Sequence, residues 1–146
     1  MAAKMVDTSR YARLKEIFSK YPIALAYLYG SQAAGRATPL SDTDIALVIA
    51  SDDYDPRSRL DLELQVEEEI ARVCKIDNLD LRVINEAPLM VRGEVVTNGI
   101  LLFSRDESFR VDYETSTRSE YFDFMPVAAM HRQAYIERLR ERGKDD

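Results

Sequence analysis

Short apolar runs alternate along the chain with longer stretches of helical spacing, and this alternation sets its plan. From Asp7 to Tyr21 the residues Tyr11, Leu14, Ile17 and Phe18 recur at helical spacing, and Tyr21-Pro22 ends the pattern. A first helix is expected there. The next run, IALAYLY over 23–29, is short, apolar at every position and stopped by Gly30, as a buried strand would be. The small residues, glycine and proline of SQAAGRATPLS predict a helical turn and then a loop. DTDIALVIA over 42–50 reads as a second strand.

Asp55 and Pro56 have the look of an N-cap and first helical position. Leu62, Val66, Ile70 and Val73 then form one stripe beside Glu67, Glu68 and Glu69, which predicts an amphipathic helix to about Cys74. In LDLRVI, Leu79, Leu81 and Val83 alternate with Asp80 and Arg82, the pattern of a third strand with one polar face. A helix from about Ala87 to Asn98, a break at Gly99 and a short strand ILLF follow. Ser104 and Glu107 are spaced as a capping box for a helical C-terminal segment, which Pro126 is expected to interrupt or kink.

Composition narrows the function. The 146 residues, 46% of them apolar, suit a single domain. Acids outnumber Lys plus Arg by 26 to 20, for a net charge of −6, so attraction to duplex nucleic acid is not expected. No apolar run is long enough to span a bilayer and the N-terminus lacks a secretory pattern, so a cytoplasmic protein without a membrane partner is expected. One cysteine, Cys74, and one histidine, His131, exclude an internal disulfide and a Cys/His metal cage. Any metal must be held by carboxylates.

Such carboxylates stand at the second strand. A side-chain period of two puts Asp42 and Asp44 on one face, and the repulsion between them is relieved by a bound divalent cation. Hard oxygen donors favour Mg²⁺, with Mn²⁺ as the alternative. Asp80 is a third acid if the third strand lies beside the second, and three acids suit two ions flanking a phosphoryl displacement. Gly30 lets a polyanion approach the backbone, Ser31 offers a hydroxyl and an amide at a helix start, and Arg36 adds a charge for the same phosphates. Taken singly, Gly30-Ser31 is an ordinary turn and Asp80 an exposed strand acid paired with Arg82; the joint pattern favours a site.

Gly30-Ser31, ten intervening residues, then Asp42-Thr43-Asp44 followed by apolar IAL resembles the Gly-Ser-x10-Asp-x-Asp signature of DNA polymerase beta-like nucleotidyltransferases. QAAGRATPLS and the later LDLRVINEAPLMVRGEVVTNGILLFSRD are most similar to the minimal nucleotidyltransferase (MNT) family, a likeness covering roughly Ala24 to Asp106. The resemblance implies an α/β (α+β) fold, a small mixed sheet flanked by helices, in one domain over 1–146 with a core at about 22–106 and a helical segment at about 105–142. It implies that Gly30 and Ser31 touch the nucleotide phosphates and that Asp42, Asp44 and Asp80 form the catalytic, metal-binding triad. Many members carry a further Asp where this chain has Val83, which makes Asp77 a competitor of Asp80 for the third role.

The same resemblance implies ATP as substrate and a role as antitoxin to a HEPN-domain RNase toxin, in a type VII toxin–antitoxin pair. AMP would pass to a tyrosine hydroxyl of that toxin with release of pyrophosphate. Two other readings stay open: a non-catalytic antitoxin that masks its partner, and a nucleotidyltransferase for a small hydroxylated molecule such as an aminoglycoside. Tyr113, Tyr121, Tyr135, Phe122 and Phe124 are most simply core, though an aromatic-rich terminal helix could equally meet a partner or, as a homodimer, a second copy of the chain.

Overall fold

The computed structural model describes residues 11–30, 35, 42–50, 54–76 and 78–144. Its elements are α1 (Leu14–Ser19), β1 (Ile23–Tyr29), β2 (Thr43–Ile49), α2 (Pro56–Cys74), β3 (Leu79–Val83), α3 (Leu89–Asn98), β4 (Ile100–Ser104) and α4 (Glu107–Lys144). The four strands pair in the order β3-β2-β1-β4. β1 is antiparallel to both of its neighbours and β2 is parallel to β3, so the sheet is mixed, as expected. The parallel pair needs a long crossover, and α2 supplies it.

β1 and β2 are apolar on both faces because both faces are covered. On one face Ile23, Ala26, Leu28, Ile45, Leu47 and Ile49 pack with Leu14, Ile17 and Phe18 of α1 and with Leu62, Val66 and Ile70 of α2. On the other, Leu25, Tyr27, Ala46 and Val48 pack with Ile84 and with Val95 of α3. The Tyr27 hydroxyl, deep in that second layer, donates to Glu114 Oε1 of α4 at 2.9 Å. Burying each of the large apolar side chains of these layers contributes about 1.5–3 kcal/mol.

α2 starts as its sequence suggests: Asp55 Oδ1 accepts the Ser58 N–H at 2.7 Å and Pro56 takes the first helical position. α4 does not start as expected. Its cap is Asp106, whose Oδ1 accepts the N–H of Ser108 at 2.9 Å and of Phe109 at 3.5 Å, while Ser104 reaches only the Glu107 side chain. Asp106 wins because it directly precedes the first helical residue, where its carboxylate meets the free N–H groups. Nor does Pro126 interrupt α4, which continues to Lys144. Phe122, whose carbonyl the proline leaves without its helical donor, is half exposed, so water can take the donor's place.

Arg105 ties the layers together. Its Nε donates to Ile23 O at 2.9 Å, and its Nη2 lies 2.8, 3.1 and 3.3 Å from the carbonyls of Tyr21, Ser19 and Phe18. The guanidinium thus closes the C-terminal end of α1 onto the β4–α4 junction. α4 leaves the body after Tyr121, which is buried over Gly93 and donates to Glu94 Oε2 at 3.2 Å. Beyond it Met130 and Tyr135 are 72% and 60% exposed, so the last third of a helix about 57 Å long has an apolar surface without a partner among the described residues. Among the described residues, no helix is long and apolar enough to cross a membrane.

Candidate active site

Register brings the polar residues together. β1 pairs Tyr29 with Asp44, and β2 pairs Asp44 with Asp80, so the three residues form one row across three strands. Thr43 N–H donates to Asn78 O at 2.9 Å, which fixes the start of β3 against the start of β2. Side chains alternate along β2: Thr43 is fully buried on the α1–α2 side, whereas Asp44 is partly exposed on the other. Asp42 lies one residue outside the strand and is exposed.

Gly30 follows β1 with φ +72°, in the left-handed region that favours glycine. A Cβ placed there would lie 2.5 Å from Asp44 Oδ2, so the carboxylate occupies space that any other residue would fill. Burial raises the proton affinity of Asp44, and the charges of Asp80 and then Asp42 raise it further, against a smaller opposing effect of Arg82. Two further negative charges therefore act on Asp44 at this end of the sheet. Tyr29 responds likewise: burial first, then Asp44 and Asp80, hold its phenol neutral.

The third acid has a partner of its own. Arg82, two residues along the same strand face, donates from Nε to Asp80 Oδ1 at 3.2 Å. This is the pairing weighed from the sequence as the plain alternative to a ligand. Among the described residues no group of three or more His, Cys, Asp or Glu side chains is gathered closely enough to hold a metal ion. The donor set nevertheless fits a hard divalent cation: oxygen ligands, mutual repulsion, and an Asp44 carboxylate seated in the gap left by Gly30.

Ser31, Arg36 and Asp77, expected as phosphate contacts and as the competing acid, lie outside the described residues. Tyr29 is the site residue that sequence reading missed. Its signal was its place beside Gly30, but its alignment with Asp44 depends on the antiparallel register of β1 and β2, which spacing alone does not give. Cys74 and His131 stand apart from the row, on α2 and α4, and burial pushes the Cys74 thiol up and keeps it protonated.

A family model described as polymerase beta, nucleotidyltransferase matches residues 12–108. No curated protein sequence matches the chain. Among solved structures, a toxin–antitoxin with AMP-PNP is 24% identical with a TM-score of 0.63, covering 92% of this chain and 98% of that one. A tri-AMPylated Shewanella oneidensis HEPN toxin in complex with MNT antitoxin gives 22% identity and a TM-score of 0.61, covering 91% and 98%. A tyrosine mutant of the toxin–antitoxin MntA-HpeT gives 26% and 0.62, covering 89% and 97%.

Proposed function

From the premise that the chain belongs to the polymerase beta nucleotidyltransferase family, we propose that it is the antitoxin of a HEPN-domain RNase and adenylylates a tyrosine of that toxin. The observation that carries this reading is the row of Tyr29, Asp44 and Asp80 closing on Gly30. Its similarity to MntA-HpeT, at 26% identity over most of both chains, supports the antitoxin role and the partner.

In this reaction the toxin's tyrosine oxygen forms a bond to the α-phosphorus of ATP, the bond to the β,γ-diphosphate breaks, and pyrophosphate leaves. Asp80, at the outer end of the row, takes the proton of the attacking hydroxyl. The Gly30 backbone and Ser31 receive the phosphates, with Arg36 as a further cation. Mg²⁺ held by Asp42, Asp44 and Asp80 would neutralise phosphate charge and favour the alkoxide, with Mn²⁺ able to replace it. Asp44 and Asp42 repel each other less once cation-bound, which couples loading of the site to its stability.

Intact mass of a HEPN-domain toxin, after incubation with the chain, ATP and Mg²⁺, tests the proposal. A gain of one or more AMP units is expected, and its loss with Asp42→Ala/Asp44→Ala. No gain with the wild-type chain refutes transfer. The Asp80–Arg82 pair favours one second reading, an antitoxin that binds without chemistry. Rescue from the toxin by the same double variant at equal expression would select it.

A further inference from the structure

Among the described residues the sheet ends at β3, and between its outer edge and α2 runs a groove of about 400 Å³. α2 contributes Leu60, Glu63, Leu64 and Glu67 to its wall, and β3 contributes Asp80 and Arg82 among its residues. Leu60 and Leu64, one helical turn apart, are 53% and 56% exposed, an apolar pair on the surface of α2. Leu81 is buried under α2 while Asp80 and Arg82 lie on the opposite face of the strand. A groove that touches both sets of residues therefore wraps the strand's edge and runs from the leucine pair to the acid row.

We propose that this groove docks the acceptor segment, a basic stretch of the partner protein with apolar anchors that carries the reacting hydroxyl to Asp80; the inference rests on the adenylyltransfer reading above. Charge selects the occupant. Arg82 is engaged by Asp80, and among the described residues neither Glu63 nor Glu67 forms an ion pair, so the groove wall is left negative. A protein that cleaves RNA meets phosphates with Arg and Lys, and those side chains complement this wall. Continuity selects the same occupant, because a segment lying on Leu60 and Leu64 leads directly to the carboxylate that accepts the proton. The segment is held by side chains rather than as an added strand, since Glu63 Oε1 already accepts the Val83 N–H at 2.9 Å and blunts the edge.

The test uses the full chain, the same HEPN-domain toxin, and a fluorescent ATP analogue. Leu60→Asp/Leu64→Asp and, separately, Glu67→Lys are compared with wild type for AMP transfer and for affinity towards the analogue. Expected is a fall of about tenfold or more in kcat/KM for the protein acceptor, with nucleotide affinity and thermal midpoint unchanged. Glu67→Lys should act mainly through KM, and its defect should shrink at high salt. Unchanged transfer by both variants overturns the groove assignment while leaving adenylyltransfer intact. An equal loss of nucleotide affinity also overturns it, by giving the groove to the nucleotide. If the wild-type chain transfers nothing, the underlying reading falls and this one with it.

Discussion

Asp44 and Gly30 share a space that holds only one side chain: a Cβ on Gly30 would stand 2.5 Å from Asp44 Oδ2. Gly30→Ala should therefore act twice. The left-handed backbone costs about 1–2 kcal/mol with a Cβ present, and the displaced carboxylate adds to that. Urea unfolding should show the stability loss, and calorimetric titration with Mn²⁺ should show weaker binding. A variant with wild-type Mn²⁺ affinity would mean that Asp44 is free to move without leaving the site.

Asp44 should also make the metal-free protein less stable as pH rises. Its folded proton affinity lies above the unfolded value, so the folded state favours the protonated acid and loses ground as pH climbs through that interval. Asp44→Asn removes the penalty. Its thermal midpoint at neutral pH should exceed that of wild type by about 1–3 °C, the gap closing as pH falls towards the ordinary carboxylate range. Added Mg²⁺ should stabilise wild type more than the variant. A gap that is constant with pH would rule out a charge origin.

Arg82 already engages Asp80 as an ion-pair partner. The pair is half exposed and contributes little stability by itself, about 0–1 kcal/mol. Arg82→Gln should unfold at the same urea concentration as wild type yet bind Mn²⁺ about threefold to tenfold more tightly, because one positive charge beside the site is gone. Unchanged Mn²⁺ binding would instead make Arg82 a neutral bystander, and weaker binding would make it a support of the site.

Arg105 donates to four carbonyls at the α1–β1 junction and stacks over the Phe103 ring, 5.5 Å from its centroid. Arg105→Met should cost about 1.5–3 kcal/mol in urea unfolding. Lysine should restore little of it, since a single ammonium cannot span carbonyls on both sides of the turn. Full recovery by lysine would show that charge, not the forked geometry, is what matters.

Most elements were legible because their local signals agree with the burial they meet. The uninterrupted apolar run of β1 specifies a strand covered on both faces, while the Asp55-Pro56 start and Leu62–Val66–Ile70 stripe of α2 and the alternation of β3 each specify one element and one facing. The mixed sheet was implied by family resemblance, and the strand pairing bears it out. What sequence could not supply was lateral. The alignment of Tyr29 with Asp44, and the choice of Arg82 as the partner of Asp80, depend on register and rotamer rather than on spacing. The start of α4 was misplaced because Ser104 and Asp106 both carry capping side chains, and only the last backbone position of β4 decides between them. Pro126 misled for a different reason: the rule against proline inside helices is weakest where the freed carbonyl faces water.

The position of β3 at the margin of the sheet has a dynamic consequence. Asp44 sits on a strand flanked on both sides, whereas Asp80 rides on one held by a single neighbour. Marginal strands open first, so the third acid can drift from the other two while both apolar layers around β1 stay closed. Hydrogen exchange at Leu79–Val83 should then run ahead of that at Thr43–Ile49. A partner that grips β3 would slow that exchange and, by holding the sheet complete, keep Asp80 in line with Asp44.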